Sequence, residues 1–189
     1  MAEPPVLRCA DRAAWRAWLV AHHAQPDSVW LVIPRKGHAA LSLDDAVDEA
    51  LCFGWIDSRP RKLDDTASLL LMSPRRPGSA WSGVNKQRIA RLRAEGRMAA
   101  AGEAVIARGE ADGTWVLLDD ASALREPAEL LAAFNNAGLA AWRSFPPSHR
   151  RANLEWVAQA KRAETRAARI AEIAARTAEG QRANTWKRG

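Results

Sequence analysis

The segment between residues 55 and 73 constrains the fold most, because it contains two strand-like runs joined by a turn. Residues 55–63 read WIDSRPRKL, residues 69–73 read LLLMS, and the acidic pair Asp64-Asp65 lies between them. Short runs bounded by turn residues are typical of paired strands. Pro60 has no backbone N–H and therefore indicates an edge strand or a bulge. The segment predicts a hairpin within a small antiparallel sheet.

Helical patterns surround this hairpin. Asp11 is a predicted N-cap for a helix to about residue 23, and Ser42 is a predicted N-cap for a second helix that ends at Gly54. Between them, residues 29–36 (VWLVIPRK) predict a third strand. Further helices are expected at about 79–95 and 99–108, and residues 115–118 are either a short strand or an extended segment. The predicted class is α+β, with helices packed on the sheet.

The last third of the chain predicts a helical module. Residues 119–126 are acidic and irregular in period and precede Pro127, so they form a candidate linker. Helices are expected at about 127–143, 148–160 and 163–179, with Ser148 as an N-cap. The predicted domains are therefore an α+β domain at residues 1–118 and a linker with a helical C-terminal module at residues 119–189.

The net charge of +6 is unevenly distributed. Residues 59–98 carry ten Lys or Arg against three Asp or Glu, and residues 143–189 carry eleven against four. Two basic blocks can form a positive face that attracts anions, including nucleic acid. They can equally be solvated helix faces.

Several classes of site lack their sequence signals. Cys9 and Cys52 are far apart and the histidines form no ligand cluster, so neither zinc nor a disulfide framework is expected. The chain has no dinucleotide-binding, P-loop or nucleophile-elbow motif, and no cofactor is expected. It has no stretch of 18 apolar residues and no apolar run typical of a secretory signal, so we expect a soluble, cytoplasmic protein.

One face of the strand at residues 55–63 is a candidate ligand surface. Strict alternation would place Trp55, Asp57, Arg59 and Arg61 on the same side. Asp57 can hold one arginine in place and leave the other for an anion. The alternative is a solvated strand face, in which such pairing contributes little.

A second group of candidates lies in the loop and helix that follow. Arg75 and Arg76 occupy the Pro-restrained loop SPRRPGSAW, which leads into a helix N-terminus that favours anions. On the helix, Asn85 and Arg88 fall within the same arc as the apolar positions that begin at Trp81. Polar groups on a packing face need partners, so they are either satisfied structural residues or part of a pocket.

These residues also carry a resemblance. The succession of residues 49–58 (EALCFGWIDS), 73–85 (SPRRPGSAWSGVN) and 146–170 (PPSHRRANLEWVAQAKRAETRAARI) resembles the YdeI/OmpD-associated, or bacteriocin-protection, family over about residues 28–180. The resemblance implies an α+β N-terminal part, a helical C-terminal module and a bacterial role in envelope stress and antimicrobial-peptide tolerance. It supplies no catalytic residues. Members have been described as periplasmic, whereas this sequence shows no export signal.

Three hypotheses of function follow. The first is non-enzymatic binding of a small anionic ligand or a protein partner between the 55–62 strand and residues 75–88. The second is sequence-independent nucleic-acid binding through the basic blocks, and the third is an enzyme that uses Asp57 as acid and base. The nucleic-acid hypothesis uses the cations of the last two helices, which otherwise belong to a module packed on the sheet domain. Those cations are Arg150, Arg151, Lys161, Arg162, Arg166 and Arg169.

Overall fold

The computed structural model describes residues 3–35 and 41–183, which form two compact units. The first unit comprises the described residues up to 79 together with 84–113, and the second comprises 80–83 with the described residues from 114 onwards. The first contains a small sheet with helices and the second is helical. The predicted α+β class with a helical C-terminal region is confirmed.

The sheet of the first unit has four strands in the order β1-β2-β4-β3. They are β1 (Val6–Leu7), β2 (Val29–Pro34), β3 (Trp55–Lys62) and β4 (Ala67–Pro74). The three predicted strands pair antiparallel, and the unpredicted two-residue β1 pairs parallel with β2, which makes the sheet mixed. The strand predicted for residues 29–36 extends to Pro34, and its last predicted residue, Lys36, lies outside the described residues.

The predicted hairpin joins β3 to β4 through Asp64. Its carboxylate accepts hydrogen bonds from the backbone N–H groups of Thr66 at 2.7 Å and Ala67 at 2.9 Å. An aspartate that bonds backbone groups two and three residues ahead stabilises a tight turn. The hydrogen bonds also hold the pKa of Asp64 below its usual range, those from Thr66 having the largest effect.

A bulge in β3 overturns the predicted common face of its polar residues. Asp57 is opposite Met72 and Pro60 is opposite Leu70, so three steps along β3 match two along β4. Opposed residues share a face, and the extra residue reverses the alternation. Arg61 therefore lies on the other face from Trp55 and Asp57, where its guanidinium is 4.6 Å from the ring centroid of Trp30. The edge position and bulge expected from Pro60 are confirmed.

Four helices accompany the sheet in sequence. They are α1 (Arg12–His22), α2 (Leu43–Cys52), α3 (Gly83–Ala94) and α4 (Ala100–Ala111). Both predicted N-caps are confirmed: Asp11 accepts from the N–H of Ala14 at 2.8 Å, and Ser42 accepts from that of Asp45 at 3.0 Å. The indole N–H of Trp15 donates to the carbonyl of Ala46 at 3.0 Å, which fixes α1 against α2.

In its described residues, the second unit packs five helices of 4 to 16 residues around its own core. They are α5 (Asp119–Ser122), α6 (Ala128–Ala132), α7 (Asn136–Ser144), α8 (Pro147–Ala158) and α9 (Ala163–Ala178). Its buried cluster includes Leu130, Trp142, Leu154, Val157 and Ile173. The candidate linker at 119–126 contains α5, whose Ala121 belongs to this core. Apolar contacts thus organise even the acidic segment.

Three local predictions for this unit are wrong. The helix expected at 127–143 is divided between α6 and α7, because the side chain of Asn135 caps a new helix by accepting from the N–H of Gly138 at 2.7 Å. The helix expected to begin after Ser148 begins at Pro147, a residue whose fixed φ suits a first helical position. Residues 115–118 form turns instead of the expected short strand or extended segment.

The carboxylate of Glu126 joins Trp142 of this core to Arg150. Its Oε1 accepts from the indole N–H of Trp142 at 2.8 Å and also from the guanidinium of Arg150. Burial alone would raise the pKa of Glu126, but these hydrogen bonds outweigh burial and lower it. The carboxylate therefore stabilises the unit above its unfolded pKa of about 4.3, and this contribution is lost as the pH falls through the lower, folded pKa.

Glu126→Gln is expected to lower the free energy of opening of the second unit by about 1.5–3 kcal/mol, the usual value of hydrogen bonds to a charged group. Hydrogen exchange of peptides from α7 and α8 at neutral pH measures the loss for this unit alone. The matched control is Glu129→Gln. Glu129 is largely exposed, and its carboxylate is as far as 3.7 Å from the guanidinium of its partner Arg166. Equal protection in the two variants would contradict the anchoring role.

Candidate functional site

The acidic face of α2 is the starting point of the candidate site. Asp44 and Asp48, and likewise Asp45 and Glu49, stand four residues apart and are neighbours on the helix surface. Asp48 and Glu49 are nevertheless buried, at 4% and 1% exposure. Like charges at this spacing repel, and buried carboxylates are costly unless they are paired. The helix can bury this face only if cations come from elsewhere.

Three arginines meet on Glu49. The Nε of Arg12 donates to Oε1 at 2.6 Å, Nη1 of Arg16 donates to Oε2 at 2.6 Å, and Nη2 of Arg97 donates to Oε1 at 2.8 Å. Two of the arginines come from α1 and the third follows α3. We call these four residues the Glu49 cluster. These four residues alone carry a net charge of +2, and Asp45 and Glu95 each pair with one of the arginines from outside the cluster.

Further contacts fix the arginines of the Glu49 cluster. Nη2 of Arg16 donates to the carbonyl of Arg97 at 3.0 Å, and its guanidinium lies 5.2 Å from the ring centroid of Phe53. Nη1 of Arg12 donates to Asp45 at 3.2 Å. Nη1 of Arg97 donates to Glu95 at 2.8 Å. The guanidiniums are thus held in defined positions before any ligand arrives.

The charge of Arg12 and Arg16 is equally fixed. Burial alone would lower the pKa of the Arg12 and Arg16 guanidiniums, but the hydrogen bonds and charge of Glu49 outweigh burial, and both pKa values rise above the ordinary value. Both side chains remain cationic throughout the physiological pH range.

The cluster lines an open depression of about 550 Å³. The side chains of Arg12 and Arg16 are each 37% exposed and that of Arg97 is 19% exposed, while Glu49 lies at the base. Asp11 also lines the depression, so its lining side chains carry three positive and two negative charges. Guanidinium N–H groups that face solvent here can donate to an anion.

A second pairing covers the other half of the acidic face. Arg88 Nη1 and Arg91 Nη2 donate to Asp48 at 2.9 and 2.6 Å, and Arg88 Nη2 donates to Asp44 at 2.5 Å. Arg91 also donates to Glu95 at 3.1 Å. Here carboxylates outnumber arginines, so this part is a structural clamp between α2 and α3 with no excess of positive charge.

Both cysteine thiols of the first unit have a raised pKa. Cys52 at the end of α2 is buried, and burial together with the charge of Glu49 raises its pKa to about 11, against the opposing effect of Arg16. Cys9 is half-buried, and burial followed by the charge of Asp11 raises its pKa as well. Thiolates are the reactive form, so both thiols are suppressed.

We expect iodoacetamide at pH 8 to modify Cys9 slowly in the native protein and Cys52 only after denaturation. The reason is that Cys52 is enclosed and that pH 8 is far below the pKa of its thiol, about 11. Peptide mass spectrometry over time, with and without urea, measures the two rates. Native-state labelling of Cys52 as fast as that of Cys9 would contradict the described burial.

The strand residues predicted as ligand contacts lie in different environments in the structure. Trp55 is fully buried, and its indole N–H donates to the carbonyl of His23 at 2.9 Å. Arg61 donates to Glu3 at 2.7 Å, and Arg59 is exposed. Asp57 is half-buried and acts electrostatically on Arg75. The strand residues therefore do not form one continuous surface.

The predicted loop and helix residues also differ in environment. Arg75 is only 5% exposed, and burial lowers its pKa to about 10 against the opposing charge of Asp57. Arg76 is exposed, and Asn85 is half-buried on α3. In the second unit, Trp81 is buried with its ring centroid 5.1 Å from that of Trp115. Ligand binding by these residues stays a prediction.

The basic residues predicted for nucleic acid fall into two groups. Three have partners within the second unit: Arg150 binds Glu126, Arg169 donates to the carbonyl of Trp156 with its guanidinium 5.1 Å from that ring centroid, and Arg166 contacts the carbonyl of Val157. The exposed ones are Arg151, Lys161 and Arg162.

The sequence analysis missed Arg12, Arg16, Glu49 and Arg97. The signal in the sequence was the spacing of the four acidic residues in LDDAVDEALC. They form two pairs at i and i+4, so their like charges are neighbours on successive helix turns and need cations from elsewhere. Among the described residues, no group of three His, Cys, Asp or Glu side chains is placed to hold a metal ion. No helix in the described part of the chain has the length and apolarity needed to span a membrane.

Comparison with known families identifies both parts of the chain. Residues 7–105 match the family described as "Domain of unknown function (DUF8412)", and residues 123–180 match the family described as "Bacteriocin-protection, YdeI or OmpD-Associated". No curated protein and no solved structure matches the chain. The chain belongs to the first family, whose model covers more than half of it, and the resemblance to the second is confirmed over residues 123–180.

Proposed function

We propose that this protein binds an anionic ligand without catalysing a reaction, and that the Glu49 cluster is the anion-binding surface. The observation that carries the proposal is the attachment of three guanidiniums to one buried carboxylate, at 2.6, 2.6 and 2.8 Å. A single partner would neutralise Glu49. Arg12 and Arg97 also pair with Asp45 and Glu95, and the side chains that line the open depression carry three positive and two negative charges.

The geometry suits phosphate-like and carboxylate-like anions. Guanidiniums present planar sets of donors that match the oxygen spacing of such groups. Rigid placement of the donors also reduces the side-chain entropy lost on binding. Arg16 is fixed by both Glu49 and the backbone of Arg97, so its other N–H groups are already oriented before a ligand binds.

Titration calorimetry with inorganic pyrophosphate tests this proposal. Arg16→Gln and Arg97→Gln should each weaken binding by about tenfold or more, because hydrogen bonds to charged groups contribute about 1.5–3 kcal/mol. Each variant leaves Glu49 two arginines. The matched control is Arg93→Gln, which removes an exposed arginine that pairs with Glu103 outside the depression. Equal affinity in all four proteins would reject the Glu49 cluster as the site.

The anion site predicted at Arg75 and Arg76 is a separate proposal for the same function. The support is a buried guanidinium beside an exposed one in a short loop. Simultaneous replacement of both by Ala should abolish pyrophosphate binding if this loop is the site. Retained binding in that variant, together with loss in Arg16→Gln, would assign the anion to the Glu49 cluster.

We also propose that anion binding serves bacterial stress or antimicrobial-peptide tolerance from the cytoplasm. The support is the printed description of the family matched by residues 123–180, which refers to bacteriocin protection. Survival under a cationic antimicrobial peptide, compared between cells that carry the wild type and cells that carry Arg16→Gln, tests the link. Equal survival of the wild-type cells and the Arg16→Gln cells would reject it.

Nucleic-acid binding remains a second prediction, carried by the exposed Arg151, Lys161 and Arg162. Fluorescence anisotropy of labelled single- and double-stranded DNA at low and near-physiological salt tests it, since phosphate contacts give steep salt dependence. An acid/base role for Asp57 would require a turnover that Asp57→Asn eliminates.

A further inference from the structure

The second unit contains a pocket of about 260 Å³ that is separate from the Glu49 cluster. Its apolar lining includes Ala121, Leu154 and Val157, all of which are buried core residues. Its volume is below the range of about 300–1,000 Å³ that is usual for drug-sized ligands. A ligand of this pocket must therefore be small and must offer an apolar part.

Glu126 supplies a fixed acceptor at one part of the lining. Its Oε1 is occupied by Trp142 and Arg150, whereas no hydrogen bond among the described residues reaches Oε2. The carboxylate is ionised at neutral pH, because its pKa is lowered by those same two donors, which outweigh the effect of burial. Oε2 is thus an oriented acceptor suited to an ammonium group.

Arg166 supplies a donor at another part of the lining. Its Nη1 reaches the carbonyl of Val157 only at 3.4 Å, and its Nη2 is 3.7 Å from the carboxylate of the largely exposed Glu129. Both contacts are longer than good hydrogen bonds. A ligand carboxylate at normal distance would be a better partner for this guanidinium.

The charge pattern of the pocket selects against simple ions. Glu126 and Arg166 have opposite charges and, among the described residues, form no ion pair with each other, while the other charged lining residues, Asp120 and Arg125, neutralise each other at 2.7 Å. Glu126 already pairs with Arg150 through Oε1, so a lone cation would gain only the open Oε2, and a lone anion would gain only Arg166. A molecule with both charges satisfies both.

We propose that this pocket binds a free apolar amino acid as its zwitterion. The ammonium group is held by Glu126 Oε2, the carboxylate by Arg166, and the side chain packs on Ala121, Leu154 and Val157. The proposal concerns residues of the second unit only and does not depend on the anion site proposed above.

Calorimetry on the full chain with three probes tests the assignment. The probes are L-leucine, 4-methylpentanoate, which lacks the ammonium group, and 3-methylbutylamine, which lacks the carboxylate. Leucine should bind saturably and about tenfold or more tighter than either analogue, the factor expected when a charged hydrogen-bonding group loses its partner. Pyrophosphate should not compete with leucine.

Two substitutions should remove the two preferences separately. Glu126→Gln should reduce the preference for leucine over 4-methylpentanoate, and Arg166→Gln the preference for leucine over 3-methylbutylamine. Ala158→Met, which extends a side chain into the pocket lining without changing charge, should abolish binding of all three. The control Arg176→Gln alters an exposed cation of α9 and should leave the affinities unchanged.

Absence of saturable leucine binding would overturn the proposal. Equal affinities for the three probes would do so as well, as would wild-type leucine affinity in Ala158→Met. If Glu126→Gln fails to fold, Arg166→Gln and Ala158→Met still decide the outcome.

Discussion

Glu49→Gln is expected to lower the free energy of unfolding of the first unit by about 3–5 kcal/mol, the usual cost of breaking a buried ion pair from one side. The substitution keeps the size of the side chain and removes its charge. Arg12, Arg16 and Arg97 would then remain together around a position that is only 1% exposed, without a common counter-charge. Their mutual repulsion adds to the loss of the hydrogen bond from Arg16, because the amide NH2 that replaces Oε2 cannot accept it.

Hydrogen exchange of peptides from α1 and α2, supported by urea unfolding, measures this loss. The matched control is Glu103→Gln, because Glu103 binds one arginine, Arg93, and both side chains are at least 40% exposed. Exposed pairs contribute about 0–1 kcal/mol. If both substitutions reduce protection equally, the claim that Glu49 organises the arginines is wrong.

The second large effect is expected for Gly102→Ala within α4. A Cβ at this position would lie 2.2 Å from the carbonyl oxygen and 2.7 Å from the carbonyl carbon of Cys52. Both atoms belong to the backbone of α2, so no side chain can move aside. Alanine normally stabilises a helix interior by about 1 kcal/mol relative to glycine. Here the sign should reverse, with a loss of about 3 kcal/mol, the upper part of the range for overpacking.

Gly96→Ala separates steric overlap from backbone strain. Gly96 has φ +67° and its added Cβ would meet no atom within 4 Å, so only the left-handed conformation is penalised. That penalty is about 1–2 kcal/mol. Thermal unfolding of the two variants should therefore rank Gly102→Ala as the more damaging. A neutral or stabilising Gly102→Ala would contradict the close approach of α4 to α2.

Much of the first unit could be predicted because its signals are local. Asp11 and Ser42 cap helices through contacts three residues away, and Asp64 forms its turn within three residues. The bulge in β3 was predictable only in part, because Pro60 indicates an irregularity but not which residues change face. The division of the helix expected at 127–143 was not predicted from the sequence. Asn135 is a good N-cap, but the alanines on both sides of it favour a continuous helix.

The Glu49 cluster could not be predicted in the same way, because its partners are distant in sequence. Arg12 and Arg97 lie 37 and 48 residues from Glu49. Composition supplies many arginines, and nothing local distinguishes these three from Arg93 or Arg151. Arg88 is the instructive case: its place on the packing arc of α3 indicated a need for partners, and Asp44 and Asp48 are those partners. The pattern predicted that a partner exists but not its identity.

The most direct test of the proposed anion site is an NMR titration of the arginine side-chain Nε–Hε resonances with inorganic phosphate at neutral pH. We expect saturable shifts at Arg12, Arg16 and Arg97, with Arg93 unchanged, because only the first three line the depression above Glu49. Shifts that are equal for Arg93 and the three cluster arginines, or shifts confined to Arg75 and Arg76, would contradict it.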